Sequence, residues 1–384
     1  MNAVPSPALG RLSRRSLLAA AVVAAPTALA APTALAAPAP TATRPLLLGT
    51  YTSAEGGGTG IGTAAYDTAT GAITSGPVIA GVENPSYLAR HPSGATVYAV
   101  AEQDAGAVTA VALAPDGTYD VLGTRPTGGS GPTHLSVHPS GRWLLSANYT
   151  SGSVAVHPIA ADGSLGERTD LVTHSSPPPG PGQNGPHAHQ IVTSPDGGHV
   201  LAVDLGTDTV YTYRLDESAG TLTEVSRAAL APGSGPRHLT FHPGGRSAYL
   251  ACELDNTTVV CAYDPESGTL SPGAGQSTGS ETGYPAQLVV TGDGSYAYLA
   301  NRGPNSLTRY AVEDGGAALR LLDTVPAGGD WPRQLALSPD SSLLFAANQR
   351  SSTVTAFRIG SDGSLTPAGD PLPAPVAVCV LPLP

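Results

Sequence analysis

The chain contains no lysine; all 18 of its basic residues are arginine. That excludes Schiff-base chemistry and any serine–lysine dyad. Cysteine is scarce as well. Cys252, Cys261 and Cys379 show neither CxxC nor zinc-ligand spacing, and three thiols cannot all pair. Cys252 and Cys261 fall on neighbouring strands of one expected hairpin, so a disulfide between them is open; the alternative is buried thiols serving as small apolar side chains. Positive charge is in short supply, with 29 carboxylates against 18 arginines. Such a surface is a poor match for nucleic acid or an anionic membrane, and no nucleic-acid partner is expected. Helical periodicity is missing after the first forty-odd residues. The apolar run inside that leader is too short and too proline-interrupted to remain as a membrane span.

What the chain has in excess is glycine and proline, 47 and 37 of 384 residues, together with a repeated nine-residue phrase. The phrase reads x-Pro-x-x-apolar-x-apolar-x-Pro. Copies begin at Asn84, Gly131, Gly235, Tyr284 (with Gly292 in place of the last proline) and Trp331, and a stretched copy runs from Gly185 to Pro195. A seventh, Ala374 to Pro382, is followed by only two residues, whereas every other copy is followed by a second strand, a turn and a third strand. The first apolar run of the fold, Leu46 to Tyr51, looks like a second strand that no phrase precedes. The C-terminus is therefore expected to supply its missing first strand. A repeat of about 45 to 55 residues with several short strands predicts an all-β, seven-bladed β-propeller, closed by the C-terminal strand joining the N-terminal blade. Alternation in Ser247–Ala251 and Thr258–Tyr263, across an Asp255-Asn256 turn, reads as half-buried antiparallel strands.

The propeller is assigned to residues 44–384 and the preceding 1–43 to a leader. Ser13-Arg14-Arg15-Ser16-Leu17-Leu18, then Ala19 to Ala25, then Ala28-Leu29-Ala30 or Ala34-Leu35-Ala36, has the order of a twin-arginine export signal with small-residue cleavage sites. Export to the outside of the cell is expected. Removing the leader leaves 15 arginines against 29 carboxylates, a net charge of −14.

In a propeller the start of each first strand and the end of each second strand emerge on one rim, so the seven phrases are comparable position by position. Six residues before the closing proline (or Gly292) stand Ser86, Thr133, His189, Arg237, Ala286, Arg333 and Val376. The next position holds Tyr87, His134, Gln190, His238, Gln287, Gln334 and Ala377; recurring planar polar side chains point there to hydrogen bonds between blades. Ten residues after the proline come Tyr51, Glu102, Tyr149, Leu205, Glu253, Arg302 and Gln349. One residue earlier are Asp204, Asn148, Asn301 and Asn348, mostly turn chemistry. His91, His138 and His242 recur before proline and read as structural. The candidate catalytic set is His187, His189, Arg237, Glu253 and Arg302, with Arg333, Asp204 and Asn301 as substrate-binding candidates. A glutamate and a histidine near arginines make an acid–base pair beside guanidinium groups that grip an oxyanion or carboxylate. The Pro- and Gly-rich connection from His174 to Gly185 is long enough to fold over this mouth.

PHAHQ, GPRHLTFHP, the Cys-Glu-Leu strand end with its following Asn-Thr-Val, and the Asn-Arg of LANRGPNSL resemble the seven-bladed lactonase propellers. These are the bacterial 6-phosphogluconolactonases of that type and the fungal carboxy-cis,cis-muconate cyclase. The resemblance covers residues 46 to 384. It implies a site at the channel mouth without metal or other cofactor, the histidine on His187 or His189, arginines on Arg237 and Arg302, and the glutamate on Glu253. The expectation is a lactone hydrolase in which His189 or Glu253 deprotonates water, acting on a small-molecule lactone or carboxylate as a monomer. A muconate-type cycloisomerase and a non-catalytic scaffold are the alternatives. A metal-dependent lactonase drawing on Asp204, Glu253, Asn301, His187 and His189 is a further rival. Export argues against phosphogluconolactone itself, which is made and consumed inside cells.

Overall fold

Each phrase folds as the innermost strand of a blade, because its apolar positions alternate and its two prolines stop pairing at either end. The structure, a computed structural model, describes residues 42–114, 117–175, 180 and 183–384. The leader lies outside the described residues. The first strand begins at Thr43, the last residue assigned to that leader. Seven antiparallel sheets follow. Blade I joins Ala377–Pro382 to Thr43–Thr50, Gly60–Asp67 and Ile73–Ala80. The inner strands of blades II to VII are Leu88–Arg90, Pro132–Val137, Ala188–Thr193, Pro236–Phe241, Tyr284–Val290 and Pro332–Leu337. In blade I, Leu46, Leu47 and Leu48 pair with Pro382, Leu381 and Val380, so the expected closure by the C-terminal strand is present.

The second strands are not half-buried, as alternation suggested, but buried on both faces. In Ser247–Cys252 every residue is buried. Ala248, Leu250 and Cys252 pack towards blade IV, while Tyr249 and Ala251 pack towards blade VI. Alternation here sorts side chains between two neighbouring blades rather than between core and water. Seven apolar clusters result, one at each blade–blade interface. Full burial of a residue such as Leu250 contributes about 1.5–3 kcal/mol.

Cys252 pairs across its hairpin with Thr257, and Cys261 with Ala248. The two thiols are therefore out of register, and all three cysteines are free and buried; the open disulfide is not formed. Histidines before proline tie blades at the far end: His91 Nε2 is 2.8 Å from the Gly141 carbonyl and His138 Nε2 3.3 Å from that of Gly197.

Near the opposite rim, inner strands carry a β-bulge. Pro132 pairs with Asn148 and His134 with Ala147, leaving Thr133 unpaired; His189, Arg237 and Arg333 are left over in the same way. In blade I the extra residue is Val378, between Ala377 and Cys379. The Val376 and Ala377 placed in those columns by counting back from Pro382 are thus corrected to Val378 and Cys379. A bulge turns two consecutive side chains to one side, which a regular strand cannot do. Arg237 with His238, and Arg333 with Gln334, line the central channel together.

Candidate active site

The bulged residues and the ends of the second strands converge on the rim in a cavity of about 170 Å³. Its walls are Glu102, Thr133, Tyr149, His189, Arg237, Glu253, Arg302 and Arg333. A narrower space below, reaching Ser86, Tyr87, His238, Gln287 and Val378, continues into the channel.

Two charged chains face each other across the cavity. In the first, Glu253 Oε2 accepts a 2.6 Å hydrogen bond from Arg302 Nη2 and lies 3.0 Å from Arg237 Nε, an ion pair without hydrogen-bond alignment. Arg237 donates to the Ala286 carbonyl (2.8 Å) and Arg302 to that of Tyr284 (3.0 Å), so each guanidinium is anchored and keeps further N–H groups. In the second, Arg333 Nη2 donates to Tyr51 Oη (3.1 Å), which donates to Glu102 Oε2 (2.8 Å); Ser86 Oγ donates to the same oxygen. This chain crosses the closure seam, linking blades VII, I and II.

Burial pushes the Glu253 carboxyl up, but the charges of Arg302 and Arg237 outweigh it and hold its pKa below the ordinary value. Burial, then Arg302 and Arg333, lower the hold of Arg237 on its proton. A guanidinium stays charged in proteins, so Arg237, at 2% exposure, is the cation that gains most from an arriving anion. His189 is driven well below the usual histidine range by burial and then by Arg237. It is neutral at neutral pH, and its Nδ1 is buried with no partner among the described residues. Its ring meets Tyr149 edge-on at 5.6 Å and His238 at 5.5 Å.

Of the residues singled out in the sequence, His189, Arg237, Glu253, Arg302 and Arg333 meet in this cavity; three do not. His187 is taken up by its loop, with Nδ1 2.9 Å from the Tyr149 carbonyl, Nε2 2.7 Å from Asn184 Oδ1, and its ring stacked on Tyr149. Asp204 is buried, 2.5 Å from His174 Nδ1, and accepts from the amides of His187, Gly206 and Thr207. Asn301 donates to Ser306 and Thr308 within its own blade. Neither residue reaches the cavity, because each is spent on the turn that ends its strand. Among the described residues no three His, Cys, Asp or Glu side chains form a metal-ligand group; of the set considered for a metal-dependent site, His189 and Glu253 line the cavity and His187, Asp204 and Asn301 do not. No helix of the described residues is long and apolar enough to cross a membrane.

Glu102, Tyr51 and Tyr149 were passed over. Each stands in the same strand-end column as Glu253 and Arg302, and that shared position was the available signal. The adjoining planar column does stitch blades: Gln190 bonds both backbone groups of Leu239, Gln334 both of Val380, and Ile191 N donates to His134 Nδ1. Of the connection expected over the mouth, residues 176–179, 181 and 182 lie outside the described residues. Its Gln183 Nε2 donates to the Leu205 carbonyl and Asp208.

A family model described as lactonase, seven-bladed beta-propeller, matches residues 45–382. The 6-phosphogluconolactonase of Bacillus subtilis is 33% identical over 290 residues, 74% of this chain and 82% of that one. Among solved structures, the periplasmic gluconolactonase of Pseudomonas aeruginosa superposes with a TM-score of 0.84 at 31% identity, covering 89% of this chain and 99% of that one. A structure described as a putative 6-phosphogluconolactonase from Bacteroides fragilis gives 0.82 at 30%, over 89% and 98%. The chain belongs to the lactonase family of seven-bladed β-propellers.

Proposed function

We propose that this protein is an exported lactonase that opens a sugar-derived or carboxylated lactone with a histidine as the acid–base group and with arginines, aligned by a glutamate, stabilising the oxyanion. The observation that carries the reading is the convergence of two buried arginines, a half-buried third, two carboxylates and a neutral histidine on one cavity. Burying guanidinium groups is costly unless they are paired, and a binding scaffold has no use for that arrangement.

In the proposed reaction the lactone carbonyl oxygen lies against the free N–H groups of Arg237 and Arg302, which stabilise the oxyanion as water adds to the carbonyl carbon. His189 accepts the water proton, since it is neutral with an unpartnered nitrogen. The C–O ring bond then breaks, the proton passes to the ring oxygen, and a hydroxy acid leaves. Glu253, committed to two guanidiniums, stays ionised, aligns them and offsets the charge that His189 acquires. Export is supported by the twin-arginine leader and by the periplasmic location in the name of the Pseudomonas relative. That relative's name also favours an unphosphorylated aldonolactone as substrate.

The test is a pH-stat assay of the purified mature chain over glucono-δ-lactone, its 6-phosphate and carboxylated lactones, corrected for spontaneous opening. Enzyme-dependent acid release on at least one is expected. A folded protein inert on all of them overturns the reading.

A further inference from the structure

In four blades the residue ahead of the phrase's first proline sits in a tight turn whose carbonyl accepts from the end of the second strand: Asn84 from Glu102, Gly131 from Tyr149, Gly235 from Glu253, Trp331 from Gln349. The turn needs a left-handed backbone, with φ of 42° at Asn84, 61° at Gly131 and 58° at Gly235. Glycine and asparagine tolerate that. Blade VII has Trp331 there, at φ 65°, a conformation in which a bulky side chain is strained. Blade VI has Tyr284 at the same position of its phrase, there as the first residue of the inner strand, paired with Arg302; it is 49% exposed and the one exposed aromatic side chain among the described residues. Blades VI and VII thus carry large aromatic rings at a position where blades III and V carry glycine, blade II Asn84 and blade I Val376.

These rings adjoin the cavity through Arg302. Its Nε donates to the Tyr284 carbonyl and its Cζ is 5.7 Å from the Trp331 ring. The Tyr284 and Trp331 centroids are 5.8 Å apart, tilted by 44°. The backbone N–H of Trp331 donates a 2.9 Å hydrogen bond to Asn305 Oδ1, and the exposed Arg350 lies over its ring at 3.4 Å. The result is a half-wet aromatic pair in which Arg350 covers one face of Trp331 and the Tyr284 ring stays open to solvent.

We propose that Tyr284, Trp331 and Arg350 form a subsite for a second sugar ring, so that the substrates include lactones carrying a glycosyl unit. This rests on the lactonase reading above. The cavity has room for one lactone ring, and anything attached to that ring must leave over the rim. A pyranose presents a flat face of C–H bonds to an aromatic ring and a margin of hydroxyls to hydrogen-bond donors, and the aromatic pair with Arg350 offers both.

The test compares kcat/KM for cellobiono-δ-lactone and glucono-δ-lactone in the wild type, Tyr284→Ala and Trp331→Gly. The glycine variant relieves the turn and so keeps the fold. The ratio of disaccharide to monosaccharide kcat/KM is expected to fall about tenfold in each variant, the scale of one stacking contact; an unchanged ratio overturns the subsite. A second measurement does not depend on turnover. The chain has two tryptophans, so Trp143→Phe leaves Trp331 as the only fluorophore of its kind. Titration with sodium cellobionate should shift its emission saturably, and gluconate should not. Cellobionate binding without hydrolysis of either lactone keeps the subsite and discards the hydrolase. Hydrolysis with neither a ratio change nor a fluorescence response does the reverse.

Discussion

Single residues decide the chemistry here through what each is already bonded to. His189→Asn should lower kcat/KM by about 10² to 10⁴-fold, the usual contribution of an acid–base group, and Glu253→Gln and Arg237→Lys each by about 10² to 10³-fold, the scale of an oxyanion donor. Because the groups act as one unit, the His189/Glu253 double variant should be little worse than the poorer single; additive losses would mean independent roles. Glu102→Gln belongs in the same series, since Glu102 ends the Arg333–Tyr51 chain at the cavity wall. Buried histidines also set the response to acid. Burial takes His134 down to about 3 from an ordinary 6.5, and burial, then Arg237, takes His189 and His238 well below it. The folded state keeps them neutral while the unfolded chain binds protons, so their contribution to stability is present above pH 6.5 and lost as pH falls towards those lowered values. Urea unfolding should therefore show a clear drop between pH 7 and pH 5. His134→Gln, which retains an acceptor for Ile191 N, should flatten that drop by up to about 1.4 kcal/mol per pH unit; an unaltered slope would show that other groups carry it. The sequence pointed to the histidines as inter-blade ties but had no means of showing which were in the dry channel.

At the scale of elements, the C-terminal strand is the one on which the ring depends. Truncation after Pro373 removes Ala377–Pro382 and uncovers the paired edge of Leu46, Leu47 and Leu48, which are buried. An apolar strand edge of this kind invites association, so the truncated chain should aggregate or melt at markedly lower temperature; a soluble product with the same Tm would show that closure does not need the strand. The orphan phrase made this legible before any coordinates, because its repeat pattern is local and strong. What alternation could not reveal was burial of the second strands on both faces. Period two in Ser247–Cys252 looks the same whether the second face meets water or another blade, and only the neighbouring blade distinguishes them. Nor was the bulge readable, since one extra residue on the inner strand leaves the residue types unchanged; the two-residue misplacement at Val376 has a separate origin, because Pro384 and not Pro382 fills the closing slot of the seventh phrase, six residues after the bulged Val378.

For the whole molecule, the leader and the ring make separate claims. Arg14→Lys with Arg15→Lys should hold the precursor inside the cell, if the paired arginines direct export of a folded chain; equal extracellular activity from the double variant would remove that route. The number of blades, their antiparallel strands, the turn positions and the closing partner were determined by the sequence alone, since turn chemistry and strand periodicity act over a few residues and are repeated seven times. The site was not determined in that way. The columns offered Glu253, Arg237, Arg302, His189 and Arg333 together with Asp204, Asn301 and His187; turn chemistry set Asp204 and Asn301 apart, but nothing local separated His187, taken up by its loop, from His189. The tertiary structure decided it by bringing Arg333 to Tyr51, 282 residues away in the chain, and by the bulges that turn adjacent side chains into the channel. Convergence of that kind depends on ring closure, and closure is a property of all seven blades at once.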